Sequence, residues 1–151
     1  MTLKKHILFT LAVLTVTALT APAMADEAGE IKYRKAVMRS IGGHMGAIVG
    51  IIKSSTGNAA NFAVHTQGMA HLSKIVGSIF PKGSDFGETE ALPAVWEKPA
   101  EFAKAVKMLE EAAAKLNTAA LSGDMAKSGA AFGDLGKACK NCHENFREKK
   151  Q

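Results

Sequence analysis

Hydrophobic residues recur at alternating three- and four-residue steps along most of the chain after residue 26. This spacing is typical of one face of an α-helix, and no segment shows the two-residue alternation of a strand. The four stripes contain Ile31, Arg34, Met38, Ile41, Met45, Ile48 and Ile52; Phe62, His65, Met69, Leu72, Val76 and Ile79; Phe102, Val106, Leu109, Ala113 and Leu116; and Phe132, Leu135, Cys139, Cys142 and Phe146. Four amphipathic helices predict an all-α fold, an antiparallel four-helix bundle.

Three breaks separate the stripes. Residues 54–58 are rich in turn formers, and residues 81–93 form a long connection interrupted by proline and glycine. Trp96, the only tryptophan, is expected to anchor this connection against the bundle. Pro99 suits the first turn of the third helix, and Asp124 can cap the fourth helix after the last break.

The N-terminus has the features of an export signal. A pair of lysines precedes an apolar stretch over residues 7–21, and residues 23–25 read Ala-Met-Ala, a small-x-small cleavage site. An uncleaved membrane anchor is the alternative, but the stretch is shorter than the roughly 20 residues that a spanning helix needs. We therefore predict a cleaved signal peptide at residues 1–25 and one domain at residues 26–151, located in a bacterial periplasm and not inserted in the membrane.

The charge balance excludes one class of partner. The chain has 19 basic and 14 acidic residues, and two of the lysines lie in the predicted signal, which leaves a net charge of +3. That excess is too small to favour nucleic acid. Basic residues do concentrate on the last helix, where they form either an ordinary solvated face or a docking patch for an acidic redox partner. They are Lys127, Lys137, Lys140, Arg147, Lys149 and Lys150.

The most specific motif is Cys139-Lys140-Asn141-Cys142-His143, which contains the only two cysteines of the chain. This C-x-x-C-H spacing is typical of covalent haem c attachment. On a helix the two thiols and the imidazole project from one face. A zinc site, a redox dithiol and a short-range disulfide are the alternatives, and the chain lacks a second cluster of zinc ligands. We predict one haem c per chain, with Cys139 and Cys142 as thioethers and His143 as an axial iron ligand.

Three segments carry a resemblance to a known family. They read YRKAVM at 33–38, LPAVW at 92–96 and GKACKNCHENF at 136–146. With a haem motif at the end of the fourth helix of an exported bundle, the chain resembles the class II c-type cytochromes, the cytochrome c′ family. The resemblance implies a haem protein that is not an enzyme, with periplasmic redox proteins as partners. It also makes a homodimer through the first two helices an alternative to a monomer.

The family has two branches, which differ at the sixth coordination position of the iron. The chain most resembles the low-spin branch, in which a methionine from the first helix fills this position, and the matching residue here is Met38. Met45 is the reserve candidate, since it lies about 10 Å further along the helix and the two cannot serve one iron. Methionine on an apolar stripe is more often core packing than a ligand. Arg34, one turn before Met38, either contacts a haem propionate or lies at the exposed end of the helix.

Two functions follow from these alternatives. With Met38 bound, the iron is six-coordinate and the protein is a periplasmic single-electron carrier. With the position open, the resemblance implies a five-coordinate haem that binds nitric oxide or carbon monoxide.

Overall fold

The computed structural model describes residues 27–54 and 59–149. The predicted signal peptide and residues 55–58 of the first predicted break lie outside this part of the chain. In chain order the elements are α1 (Glu27–Ser54), α2 (Ala59–Ser73), a 3₁₀ turn (Val76–Ile79), the one-turn helix α3 (Ala94–Glu97), α4 (Pro99–Leu121) and α5 (Met125–Phe146). The four long helices confirm the predicted four-helix bundle, and the described residues contain no strand beyond one isolated bridge between Ala91 and Arg147.

The four long helices do not pack equally closely. α1 packs on α2, α2 packs on α4, and α4 packs on α5, whereas the backbones of α1 and α5 stay apart. The predicted stripes supply the core, because one apolar face of each helix must be removed from water. The largest fully buried apolar side chains are Ile48, Phe62, Met69, Val76, Ile79, Leu116 and Leu135. Three sides of the bundle are therefore closed by packing, and the fourth side is open between α1 and α5.

The second predicted helix ends earlier than its stripe does. α2 ends at Ser73, and the chain continues through the 3₁₀ turn, in which Val76 and Ile79 remain buried. A 3₁₀ turn has three residues per turn, so residues three apart still share a face. The hydrophobic spacing is therefore the same on both sides of the change in helix type, which is why the sequence pattern extends past the end of α2.

The long connection is fixed to the bundle by its tryptophan, as predicted. The indole nitrogen of Trp96 donates to the carbonyl oxygens of Phe80 and Pro81, at 3.2 and 3.1 Å. The Trp96 ring also meets the Phe80 ring edge to face, with ring centroids 6.3 Å apart. Trp96 lies in α3, a single helical turn that the pattern of residues did not predict. The start of the connection is thereby held against the helical turn that follows its end.

The two predicted helix starts are confirmed. Pro99 occupies the first turn of α4. Asp124 is the N-cap of α5, and its carboxylate accepts a hydrogen bond of 2.9 Å from the backbone N–H of Lys127. The backbone hydrogen bond, supported by the Lys127 side chain, lowers the pKa of Asp124. The ionised carboxylate therefore stabilises the start of the helix that carries the cysteine motif.

We expect Asp124→Ala to lower the free energy of unfolding at pH 7, because it removes an acceptor for an otherwise unpaired helix N–H. Since the folded pKa is below the unfolded value of about 3.9, this stabilisation is complete above about pH 5 and is lost as pH falls through the folded pKa. Urea unfolding of the holoprotein at pH 7 and at pH 3, followed by far-ultraviolet circular dichroism, measures both effects.

Asp124→Asn is the matched control, since asparagine caps a helix equally well and does not titrate. It should retain most of the stability at pH 7. An alanine variant as stable as the wild type at pH 7 would contradict the role of the cap.

Candidate haem-binding site

A cavity of about 670 Å³ occupies the open side of the bundle between α1 and α5. Its walls come from these two helices, and its floor and rim come from the 3₁₀ turn, the long connection and α4. The lining residues include Arg34, Lys35, Met38, Arg39, Ile41, Gly42 and Met45 from α1, Val76, Phe80 and Leu109 from the floor, and Cys139, Cys142, His143 and Phe146 from α5. The lining is largely apolar, with charged side chains at the rim.

The α5 wall carries the cysteine motif. Cys139, Cys142 and His143 all line the cavity, so the structure brings the three side chains to one face of the helix. The two thiols are half-buried and are not joined in a disulfide. Among the described residues, no group of three or more His, Cys, Asp or Glu side chains has an arrangement that holds a metal ion. The zinc alternative for this motif therefore has no ligand set in that part of the chain.

Burial sets the protonation states on this wall. It raises the pKa of Cys139, and together with the neighbouring Cys139 it raises the pKa of Cys142 to about 11, so both are thiols at neutral pH. Burial and the positive charge of Arg147 lower the pKa of His143, while Glu90 acts in the opposite direction. His143 is therefore a neutral imidazole with a free lone pair, the form that binds metal ions.

The α1 wall carries both candidate methionines. Met38 and Met45 line the cavity on the side opposite the cysteine motif, with Ile41 and Gly42 between them. Seven residues of helix separate the two sulfur-bearing side chains by about 10 Å along the axis, so only one can approach a given point of the α5 wall. The structure thus brings Met38 and His143 into one cavity, and it also brings Met45 there.

These residues fit a haem. A porphyrin is flat and apolar, and the cavity offers two largely apolar walls on separate helices. One wall has two thiols and a neutral imidazole at the spacing that covalent attachment requires. The rim has the cations Lys35, Arg39 and Arg147 for the negatively charged propionates.

Arg34 is buried, with 4% of its surface exposed, so the predicted alternative of an exposed helix end is wrong. One terminal nitrogen donates to the Ile79 carbonyl at 3.3 Å and to the Ser84 hydroxyl at 2.8 Å. The other donates to the Ser84 carbonyl and to the Thr89 hydroxyl, both at 2.8 Å. These bonds occupy the four protons of the two terminal nitrogens, so only the Nε–H is left for a haem propionate.

The rings around Arg34 reinforce its fixed position. Its guanidinium carbon lies 4.8 Å from the centre of the Phe80 ring and 5.8 Å from that of Trp96. A guanidinium at this distance from an aromatic face is attracted by the ring quadrupole. Sequence reasoning missed this cluster, because Ser84 and Thr89 are 50 and 55 residues away from Arg34 in an irregular segment.

A second missed feature joins the connection to the end of α5. The backbone N–H of Leu92 donates to the Phe146 carbonyl at 3.0 Å, and that of Glu148 donates to the Glu90 carbonyl at 2.8 Å. These two bonds surround the bridge between Ala91 and Arg147. They hold the connection beside His143, where Glu90 and Ala91 form part of the cavity rim.

Comparison with known proteins agrees with this geometry. Residues 29–147 match the family model described as Cytochrome C′. Cytochrome c-554 of Cereibacter sphaeroides is 38% identical over 145 residues, which cover 90% of this chain and 94% of the relative. A cytochrome c′ of Pararhodospirillum photometricum is 40% identical over 120 residues, covering 78% and 95% respectively.

A solved structure has the same fold. It is a nitric oxide complex of a variant of cytochrome c prime from Alcaligenes xylosoxidans, with a TM-score of 0.78 and 30% sequence identity. The match covers 84% of this chain and 99% of that one.

We expect Arg34→Ala to lower the free energy of unfolding by roughly 3 kcal/mol or more, because it leaves several buried acceptors without a donor. Urea unfolding of the holoprotein measures the loss. Lys32→Ala, which removes an exposed cation from the same helix, is the control and should change stability by less than about 0.5 kcal/mol. Equal effects of the two substitutions would contradict the anchoring role of Arg34.

Proposed function

The chain belongs to the cytochrome c′ family, and on that premise we propose that it is a periplasmic single-electron carrier with a six-coordinate haem c. Membership of the family provides one covalently attached haem c per chain, as the sequence predicts. One observation carries the finer proposal: Met38 and His143 line the same cavity from opposite walls.

The α5 wall would hold the cofactor. Cys139 and Cys142 would form the two thioether bonds, and the neutral imidazole of His143 would bind the iron. When bound, haem c supplies an iron that accepts and releases one electron. The apolar side chains around it exclude water, and the basic rim compensates the propionate charge.

Met38 on the α1 wall would supply a second ligand to the iron. A thioether and an imidazole together favour the ferrous state and so raise the reduction potential. With Met38 in the sixth position no site remains open for a substrate, so the protein transfers electrons without converting a substrate itself. Met45 is the reserve ligand, because it lines the same cavity.

A second candidate function is binding of nitric oxide or carbon monoxide. The solved complexes of the Alcaligenes xylosoxidans relative contain these gases, so the comparisons support this candidate more directly than they support electron transfer. In this case Met38 would not bind the iron and would form part of the wall of the pocket that admits the gas. The two candidates differ in one contact, the Met38 sulfur.

The proposal also includes the location of the protein and its redox partner. In the part of the chain that the structure describes, no helix is long and apolar enough to cross a membrane. We place the protein in the periplasm on the predicted export signal, with an acidic redox protein as partner. The basic residues near the end of α5, among them Lys140 and Arg147, are its docking patch. A homodimer through α1 and α2 stays a prediction.

Covalent attachment is tested on protein exported and matured in a bacterium that makes c-type cytochromes. We expect an intact mass equal to residues 26–151 plus one haem, and no thiol that reacts with iodoacetamide, because both sulfurs form thioethers. Cys139→Ser and Cys142→Ser should each leave a single attachment point. Two reactive thiols and no added mass would contradict the haem site.

The Met38 contact is tested by optical spectroscopy. We expect a low-spin spectrum for the wild type and slow or absent carbon monoxide binding by its ferrous form, because the sixth position is filled. Met38→Leu, which conserves volume, should convert the iron to high spin and permit rapid carbon monoxide binding.

Met45→Leu is the matched control on the same wall and should behave as the wild type. A wild-type spectrum that is already high-spin, with rapid carbon monoxide binding, would reject the electron carrier and select the gas-binding candidate.

A further inference from the structure

Two histidines outside the haem cavity lie against each other where α1 packs on α2. The Nδ1 atoms of His44 and His65 are 3.2 Å apart and share a hydrogen bond, and the ring centroids are separated by 5.4 Å at an interplanar angle of 65°. Both side chains are half-buried, and neither lines the haem cavity. The sequence placed His65 on an apolar face but gave no sign of its partner, which is 21 residues away.

A glycine opposite the pair fixes the position of His44. A Cβ atom at Gly68 would lie only 2.5 Å from Cε1 and 2.6 Å from Nε2 of the His44 ring. Cβ atoms essentially never come this close to a non-bonded atom, so the ring occupies space that exists because residue 68 has no side chain. Helix packing therefore holds the His44 ring against α2, on the side from which His65 projects.

The separation of the two nitrogens suits a shared metal ion. Imidazole nitrogens bind zinc at about 2.0–2.1 Å, and two such nitrogens 3.2 Å apart subtend an angle of about 100° at the metal, close to tetrahedral. Without a metal ion, one Nδ1–H donates to the other Nδ1, so binding of one ion by both Nδ1 atoms requires both imidazoles to carry their proton on Nε2.

We propose that His44 and His65 form a two-imidazole binding site for a divalent transition-metal ion, Zn²⁺ or Cu²⁺, separate from the haem iron. Nitrogen ligands favour these borderline ions over Mg²⁺ and Ca²⁺, which prefer oxygen. The described residues contain no third His, Cys, Asp or Glu ligand at the pair, so water completes the coordination and the ion is exchangeable. The site does not depend on whether Met38 binds the haem iron.

The test is a calorimetric titration of the ferric holoprotein with ZnCl₂ at pH 7.5. We expect one Zn²⁺ per chain and an unchanged haem absorption spectrum, because the two sites are separate. His44→Asn and His65→Asn should each weaken binding by more than about ten-fold, since even outer-shell contacts contribute roughly 10- to 100-fold to metal affinity. His71→Asn, an exposed histidine of α2, is the matched control and should bind as the wild type does.

Gly68→Ala tests whether metal binding depends on the position of the His44 ring and not only on the presence of both histidines. It keeps both imidazoles but displaces the His44 ring, so we expect the same loss of Zn²⁺ affinity, more than about ten-fold.

A measurement on the unaltered chain avoids any effect of substitution on folding. In ferrous holoprotein with ¹⁵N-labelled histidine, Zn²⁺ should shift the Nδ1 resonances of His44 and His65 and not those of His71. Absence of Zn²⁺ binding, binding that survives both asparagine substitutions, or shifts confined to other histidines would overturn the proposal.

Discussion

The buried guanidinium of Arg34 is the interaction on which the shape of the cavity depends. α1 packs closely on α2 but stands apart from α5, so one flank of this helix has no neighbouring helix to support it. Arg34 replaces that support, because its four hydrogen bonds tie α1 to Ile79, Ser84 and Thr89 in the segment that crosses the open side. Met38 lies one helical turn further on, and its position relative to α5 is fixed by this contact.

The two walls of the cavity carry different chemical groups, and the packing of the bundle keeps the two walls apart. The α5 wall holds protonated thiols and a neutral imidazole, the states that burial favours. The α1 wall adds only apolar and thioether groups together with cations at the rim. A haem bound between these walls would have the imidazole of His143 on one side and either the thioether of Met38 or no protein ligand on the other. The two proposed functions therefore differ only in what the α1 wall contributes.

The sequence predicted those features that depend on residues close together in the chain. The four stripes predicted the long helices, and the cap at Asp124 and the proline at Pro99 marked two helix starts correctly. The spacing of Cys139, Cys142 and His143 predicted their common face, because three and four residues are fixed distances on a helix. The sequence did not decide between Met38 and Met45, since both belong to one stripe and both reach the cavity.

Features that join distant segments were not predictable in this way. Arg34 finds its partners about 50 residues away in a segment without periodicity, and His44 meets His65 across two helices. Residue spacing and composition do not predict either contact. Each contact depends on how the helices are placed relative to other segments, whereas spacing and composition indicate only where a helix forms. The 3₁₀ turn at Val76–Ile79 was missed for the opposite reason: its local spacing is the same as that of the helix before it.

The backbone bonds between the connection and the end of α5 have a consequence for His143, the proposed iron ligand. His143 lies in the last turn of α5, where helices ordinarily fray and side chains sample several orientations. The bonds from Leu92 to Phe146 and from Glu148 to Glu90 continue the hydrogen bonding past the end of the helix. The conformational entropy of this turn is therefore lost when the chain folds, and the imidazole is preorganised before it meets a metal centre.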